Sequence, residues 1–349
     1  PTNTTTLSPT NNIYARTGIP NSQTSPSFLT QLQAVRAGAP SALTATFTSQ
    51  TSAVGDLVKA GPVAGASQTA VIPLLGFNTP TDTTTGGVLF RPLLSGSTVI
   101  SAAISGFLAV TSAAGTTVNV TQPPITVNAV TVGSGLQVGA GGNLGASNHG
   151  GKLVSIISSN PAVLVSPNTT TPGTDSIAVF VPNNSTSFSF VVQGIEGHTD
   201  TVTAAITAKA SGFTDGSGTA AVVPPAFDVI GLPSTPTAGS ADVAFYVRVG
   251  IANSTYQFLT QLQAVRAGAP AALTATITSN APTIGTLVVT AGPGATQTVT
   301  IPALQTNSPT TVATGGVAFR PVATGPVTIT TTISGYVGTA SAITLIDVQ

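Results

Sequence analysis

Apolar and hydroxyl-bearing residues alternate along this chain with a period of two. Leu43, Ala45 and Phe47 alternate with Thr44, Thr46 and Thr48, and Leu273, Ala275 and Ile277 alternate with Thr274, Thr276 and Thr278. The same pattern runs through Val327–Ile333, Ser187–Val191 and Val202–Ala208. A period of two is that of a strand with one face buried, and here the other face is built of threonine. Clusters of Gly, Pro, Asn and Ser interrupt these runs at intervals of about 8 to 12 residues, the spacing of an antiparallel sandwich. Helical periodicity is scarce. Phe28–Ala37, with apolar Phe28, Leu32 and Val35, Pro26 near its start and Gly38 after its end, fits a short helix or a strand. The pattern predicts an all-β fold.

A second, longer period lies over the first. Phe28–Pro40 reads FLTQLQAVRAGAP and recurs unchanged at Phe258–Pro270; Gly86–Pro92 recurs as Gly315–Pro321, and Ile104–Phe107 as Ile333–Tyr336. A fainter echo links Ser211-Gly-Phe213 and the Pro-Pro pair at 224–225 to Ser105-Gly-Phe107 and the pair at 123–124. Repetition on this scale marks tandem units. The chain therefore divides into module A (1–124), module B (125–225) and module A′ (226–349). Each has about 100 to 125 residues, enough for a core of its own.

Ala208-Lys-Ala-Ser-Gly-Phe213 ahead of a closing strand, Ser158-Ser-Asn-Pro-Ala-Val163 and the Thr/Val strands together resemble bacterial immunoglobulin-like repeats, the invasin-type tandem domains of large surface and secreted proteins. The resemblance covers nearly the whole chain and is plainest in module B. It implies tandem immunoglobulin-like β-sandwiches and an extracellular or cell-surface location, and it carries no catalytic residues with it. With strands of some ten residues, three sandwiches end to end make a rod on the order of 100 Å long.

Charge sharpens this picture. Charged residues are only 5% of the 349, and nine bases balance nine acids. An ordinary soluble protein is about a quarter charged. The solvent face must therefore be Thr, Ser and Asn, and zero net charge removes the repulsion that keeps proteins apart. Association is expected. No basic stripe exists for nucleic acid, and apolar runs such as Ala70–Phe77 fall far short of the roughly 18 residues of a spanning helix, so neither nucleic acid nor membrane insertion is expected. Cysteine is absent, which leaves the redox compartment unmarked. Methionine is absent too and the sequence opens at Pro1, as expected of a processed product or an excised piece.

Candidate chemistry is sparse. Two histidines, one glutamate, no cysteine and no Gly-x-Ser-x-Gly elbow lead us to expect no catalytic residues, no cofactor and no metal. Gly145–Lys152 approaches a phosphate loop but is one residue too long, with Leu153 where a hydroxyl is needed, and reads as a glycine-rich turn. Glu196, His198 and Asp200 alternate, as zinc ligands on a strand or as a solvated turn. Asp228 and Asp242 stand too far apart for a calcium linker.

The six arginines fall in matched pairs: Arg16 with Arg248, Arg36 with Arg266, Arg91 with Arg320. Each is expected to bind backbone carbonyls at a sheet end or to reach a neighbouring module. Residues 28–46 and 258–276 differ only at Ser41/Ala271 while their surroundings drift. Gln31, Gln33 and Arg36, with Gln261, Gln263 and Arg266, are therefore expected to make a contact between modules or chains. Module B opens with Ile125–Val130 and A′ with Ala226–Leu232, each a candidate first strand, but Pro1-Thr2 aligns with Pro233-Ser234, so A starts after the place of its first strand. Leu345-Ile-Asp-Val-Gln349 is similar to Phe227-Asp-Val-Ile230. Leu345, Ile346 and Val348 are accordingly expected to complete module A of the next copy, by strand donation or because the sequence continues as one array. The functional expectation is a structural protein that builds a fibre, stalk or surface layer with copies of itself; its rival is an adhesin that recognises a cell-surface glycan or host protein through sandwich loops.

Overall fold

The computed structural model describes residues 2–61 and 63–349, which form tandem immunoglobulin-like β-sandwiches. In module A′ one sheet takes the order Thr296–Ile301, Leu273–Ser279, Gly325–Ile333, Ile343–Val348, and the facing sheet centres on Gly285–Val289, Val317–Pro321, Val243–Ala252 and Ala226–Ile230. Module A repeats the first sheet with Ser67–Ile72, Leu43–Ser49, Gly96–Ile104 and Thr116–Thr121. The alternation seen in the sequence becomes burial: Ala45 and Phe47, and likewise Ala275 and Ile277, point into the cores while Thr44 and Thr274 face solvent. The ambiguous segment after Phe28 is extended, with the strand Leu29–Leu32 hairpinned onto Gly18–Pro20.

First strands in this fold change sheets. In module B, Ile125–Val127 pairs antiparallel with Leu136–Leu144, and after a break at Asn128–Ala129 the strand Val130–Gly133 pairs parallel with Gly216–Val223. The expected single strand Ile125–Val130 is thus two half-strands, because one run must serve both sheets. In A′, Ala226–Ile230 pairs with Val243–Ala252, and the chain then runs beside the last strand, with hydrogen bonds from Asp347 N to Ser234 O and from Ala238 N to Gln349 O, 2.9 and 2.7 Å. Among the described residues module A shows the second half, with Asn3–Thr5 pairing parallel to Thr116–Thr121.

The C-terminal strand corrects one expectation. Ile343–Val348 pairs over its full length with Gly325–Thr330, Ile346 and Val348 are buried in the core of A′ and Leu345 is on its surface. Its counterpart in A is the closing strand Thr116–Thr121, not the first strand. Donating it would strip A′ of two core side chains and an edge ladder.

The buried apolar residues of B and A′ form one continuous cluster, whereas those of A form a separate, smaller one. Calorimetry of the intact chain is therefore expected to show two transitions, A melting below a B–A′ unit that unfolds as one. A single transition for all three modules would contradict this division.

Candidate functional site

The junction of B and A′ is built on the repeated segment. Ala264–Val265 adds as a short strand to the edge of Leu136–Leu144, with Val265 opposite Leu136 and both fully buried. On either side of that strand two side chains reach into module B. Gln263 donates from Nε2 to the Thr131 carbonyl (2.9 Å) and accepts at Oε1 from the Gly133 N–H (2.8 Å). Arg266 forms a two-pronged pair with Glu196, Nε to Oε1 at 2.8 Å and Nη2 to Oε2 at 2.7 Å, and its backbone N–H donates to the Gly135 carbonyl. Module B answers with Gln137, whose Oε1 accepts from the Ala267 N–H (3.0 Å) and from Gln193 Nε2 (3.1 Å). The side chains of Gln263, Arg266 and Gln137 thus receive partners across this contact, and a charged pair with fixed fork geometry ties the two modules together. Tyr336 closes the rim; burial, and secondarily the Glu196 charge, push its phenol well above the usual tyrosine range.

The same segment in module A holds the same shape and touches nothing comparable. Its backbone is fixed by equivalent bonds: Gln33 N to Thr17 O, Val35 N to Gly76 O and Leu75 N to Val35 O, matched in A′ by Gln263 N to Val249 O, Val265 N to Gln305 O and Leu304 N to Val265 O. Yet Gln33, Arg36 and Ala37 are exposed, while Gln263, Arg266 and Ala267 are buried at 2%, 8% and 3%. A Cβ on Gly268 would meet the Pro172 side chain of B, whereas around Gly38 there is open space. Gln31 and Gln261 are exposed in both copies, and Gln261 borders the contact, its Oε1 accepting from Gln263 Nε2 (3.3 Å).

The arginines follow the same division. Arg91 pairs with Asp56 and Arg320 with Asp242 inside their own modules, Arg248 pairs with Asp228 on the first strand of A′, and Arg266 with Glu196 of B. Of the two expected roles, Arg266 takes the reach into a neighbouring module, and the other three paired arginines bind carboxylates rather than sheet-end carbonyls. Among the described residues only Arg16 and Arg36 lack a carboxylate partner, and they are the counterparts of the two arginines whose acids lie ahead of the body of A′.

Other candidates resolve into structure. Gly145–Gly151 is a turn that leads into the strand Lys152–Ser158. In that turn, buried His149 lies 2.8 Å from the Ser185 carbonyl at Nε2 and 3.2 Å from the Gly151 N–H at Nδ1, so its ring ties the turn to the chain around Ser185. Glu196 is engaged with Arg266, and no cluster of three metal-ligating side chains exists among the described residues. Sequence reasoning missed Gln137, Gln193 and Gly133, whose roles had no local signal; the lone glutamate opposite a repeated arginine was the one clue to Glu196. No helix among the described residues is long and apolar enough to cross a membrane.

No family model matches the chain, and no curated protein does. Among solved structures it is similar to CBD12 from CALX1.2 (TM-score 0.29, 8% identity, 65% of this chain and 100% of that one) and to the IG1+IG2 pair of DIP-gamma (TM-score 0.21, 10% identity, 65% and 98%). It is also similar, over 90% of its length and 68% of the other chain, to a tetra-tandem repeat in the extending region of a large adhesion protein, with a TM-score of 0.21 and 15% identity.

Proposed function

We propose that this chain is a structural, non-enzymatic segment of an extracellular head-to-tail array of immunoglobulin-like modules, of the bacterial surface-repeat kind that its sequence resembles. One observation carries the reading: the thirteen-residue segment that clasps module B in A′ stands identical, pre-shaped and uncovered in module A, its Arg36 without an acid. A surface whose backbone is already ordered loses little entropy on docking. Its natural complement is a B-type edge presenting a glutamine and a glutamate where B presents Gln137 and Glu196. Repeating that joint extends a fibre, stalk or layer without chemistry, cofactor or metal.

Negative-stain images of the native material test it. Ordered polymers with a module-scale repeat are expected, and Arg36→Ala should reduce them while leaving module A folded. Isolated particles that bind on a glycan array would overturn the reading in favour of an adhesin.

A further inference from the structure

Module A carries a second vacancy, and its shape says what belongs there. Where Ala226–Ile230 lies in A′, module A has an open groove of about 540 Å³ running from Tyr14 and Arg16 on one wall to Leu108 and Val110 on the other, with Phe47 and Phe90 at its floor. Core positions along it are half-exposed: Ile13, Ala15, Ala102 and Ile104, whose counterparts Phe245, Val247, Thr331 and Ile333 are buried in A′. Phe107 and Leu108 beside it are exposed at 47% and 57%. A core opened in this manner leaves apolar surface in water that a strand would cover.

We infer that this groove is an acceptor for one incoming β-strand of the Ala-Phe-Asp-Val-Ile type, delivered by a B-type module, with its aspartate paired to Arg16. The register follows from A′, where Asp228 is the antiparallel partner of Arg248, Phe227 of Val249 and Val229 of Val247. Transferred to A, the incoming Asp lies opposite Arg16, the Phe opposite Thr17 and the Val opposite Ala15. The far wall is prepared as well. In A′ the N–H groups of Val337 and Thr339 donate to the Pro225 and Phe227 carbonyls at 2.9 Å, and Ser341 Oγ accepts from Val229 N–H at 2.8 Å. Leu108, Val110 and Ser112 hold those positions in A and line the groove. Arg16 meanwhile rests over the Tyr14 ring, 5.6 Å from its centroid, for want of a carboxylate. In A′ one stretch of chain, module B followed by its next strand, fills the docking surface and the groove together. The inference names the partner of the face that the proposed function invokes, and rests on that reading for the strand's source.

A synthetic peptide with the sequence of residues 224–233, added to the intact chain, tests the groove by itself. Labelled peptide should bind one to one in fluorescence anisotropy and raise the melting temperature of module A but not that of B–A′. Changing the peptide's Asp to Asn, or Arg16→Ala in the chain, should each weaken binding by about tenfold, the loss of one charge-assisted pair, with no further loss when combined. Arg16→Asp in the chain with Asp changed to Arg in the peptide should restore it. Because the chain has no cysteine, Ala15→Cys and a cysteine in place of the peptide's Val should form a disulfide that fixes the register. Failure to bind, or binding equally strong for a scrambled peptide, overturns the inference. So does finding the groove of the untreated chain filled by Leu345–Val348 of a second copy. Peptide binding without polymers in the micrographs would count against the array alone, and polymers without peptide binding against the groove alone.

Discussion

Phe227→Ala is expected to cost the B–A′ unit about 3 to 5 kcal/mol, the loss that follows when a large ring is removed from a closed core. Phe227 is 2% exposed and sits on the half-strand that seals A′ between Val243–Ala252 and Val337–Gly338. Truncating it makes A′ resemble module A, with a groove where a ring had been. Denaturant unfolding should show the B–A′ transition displaced and that of A unchanged. A loss below about 1 kcal/mol would mean that A′ closes without its first strand, and the open groove of A would then lose its meaning as a vacancy.

Arg266→Ala and Arg36→Ala are expected to differ sharply although the two arginines share an identical stretch of thirteen residues. The Arg266 side chain is 9% exposed and pairs with Glu196, itself only 34% exposed, so its removal leaves a carboxylate partly desolvated against a neutral rim. About 2 to 4 kcal/mol should be lost from the B–A′ transition. Arg36 is on the surface with no acid beside it, and Arg36→Ala should change stability by no more than about 0.5 kcal/mol. Its effect should fall on association instead. Equal, small effects at both sites would show that the clasp does not couple the modules.

Much of the fold was legible because its signals are local. Period-two alternation located Leu43–Ser49, Leu273–Ser279, Ser187–Gly194 and Val202–Lys209, since a strand with one buried face writes that period directly into the chain. The alignment of Pro1-Thr2 with Pro233-Ser234 likewise matches the structure, where Asn3–Thr5 pairs with Thr116–Thr121 as the chain after Pro233 runs beside Ile343–Val348, because a repeat supplies its own reference. Alternation does not say which sheet a strand joins. Leu345-Ile-Asp-Val and Phe227-Asp-Val-Ile look alike for that reason, yet the first closes one sheet of A′ and the second opens the other.

Charge pairing was less legible still, because it depends on register across distant strands. Arg91 finds Asp56 35 residues away, while its counterpart Arg320 finds Asp242 at 78. Glu196, weighed as a metal ligand from its neighbours in sequence, belongs to an arginine 70 residues on.

The sequence by itself determined an all-β chain with a long internal repeat, almost without charge, and marked one segment as held constant while its surroundings drifted. Only the tertiary structure decided what that segment does. Gln263, Arg266 and Ala267 are buried in A′ and the identical Gln33, Arg36 and Ala37 are exposed in A, although each copy is held by equivalent backbone bonds within its own module, so no property of the segment's sequence distinguishes the two copies. The difference is made by what is packed in front of it, a module and a strand in one case and solvent in the other, and burial is a property of that pairing of surfaces rather than of either sequence.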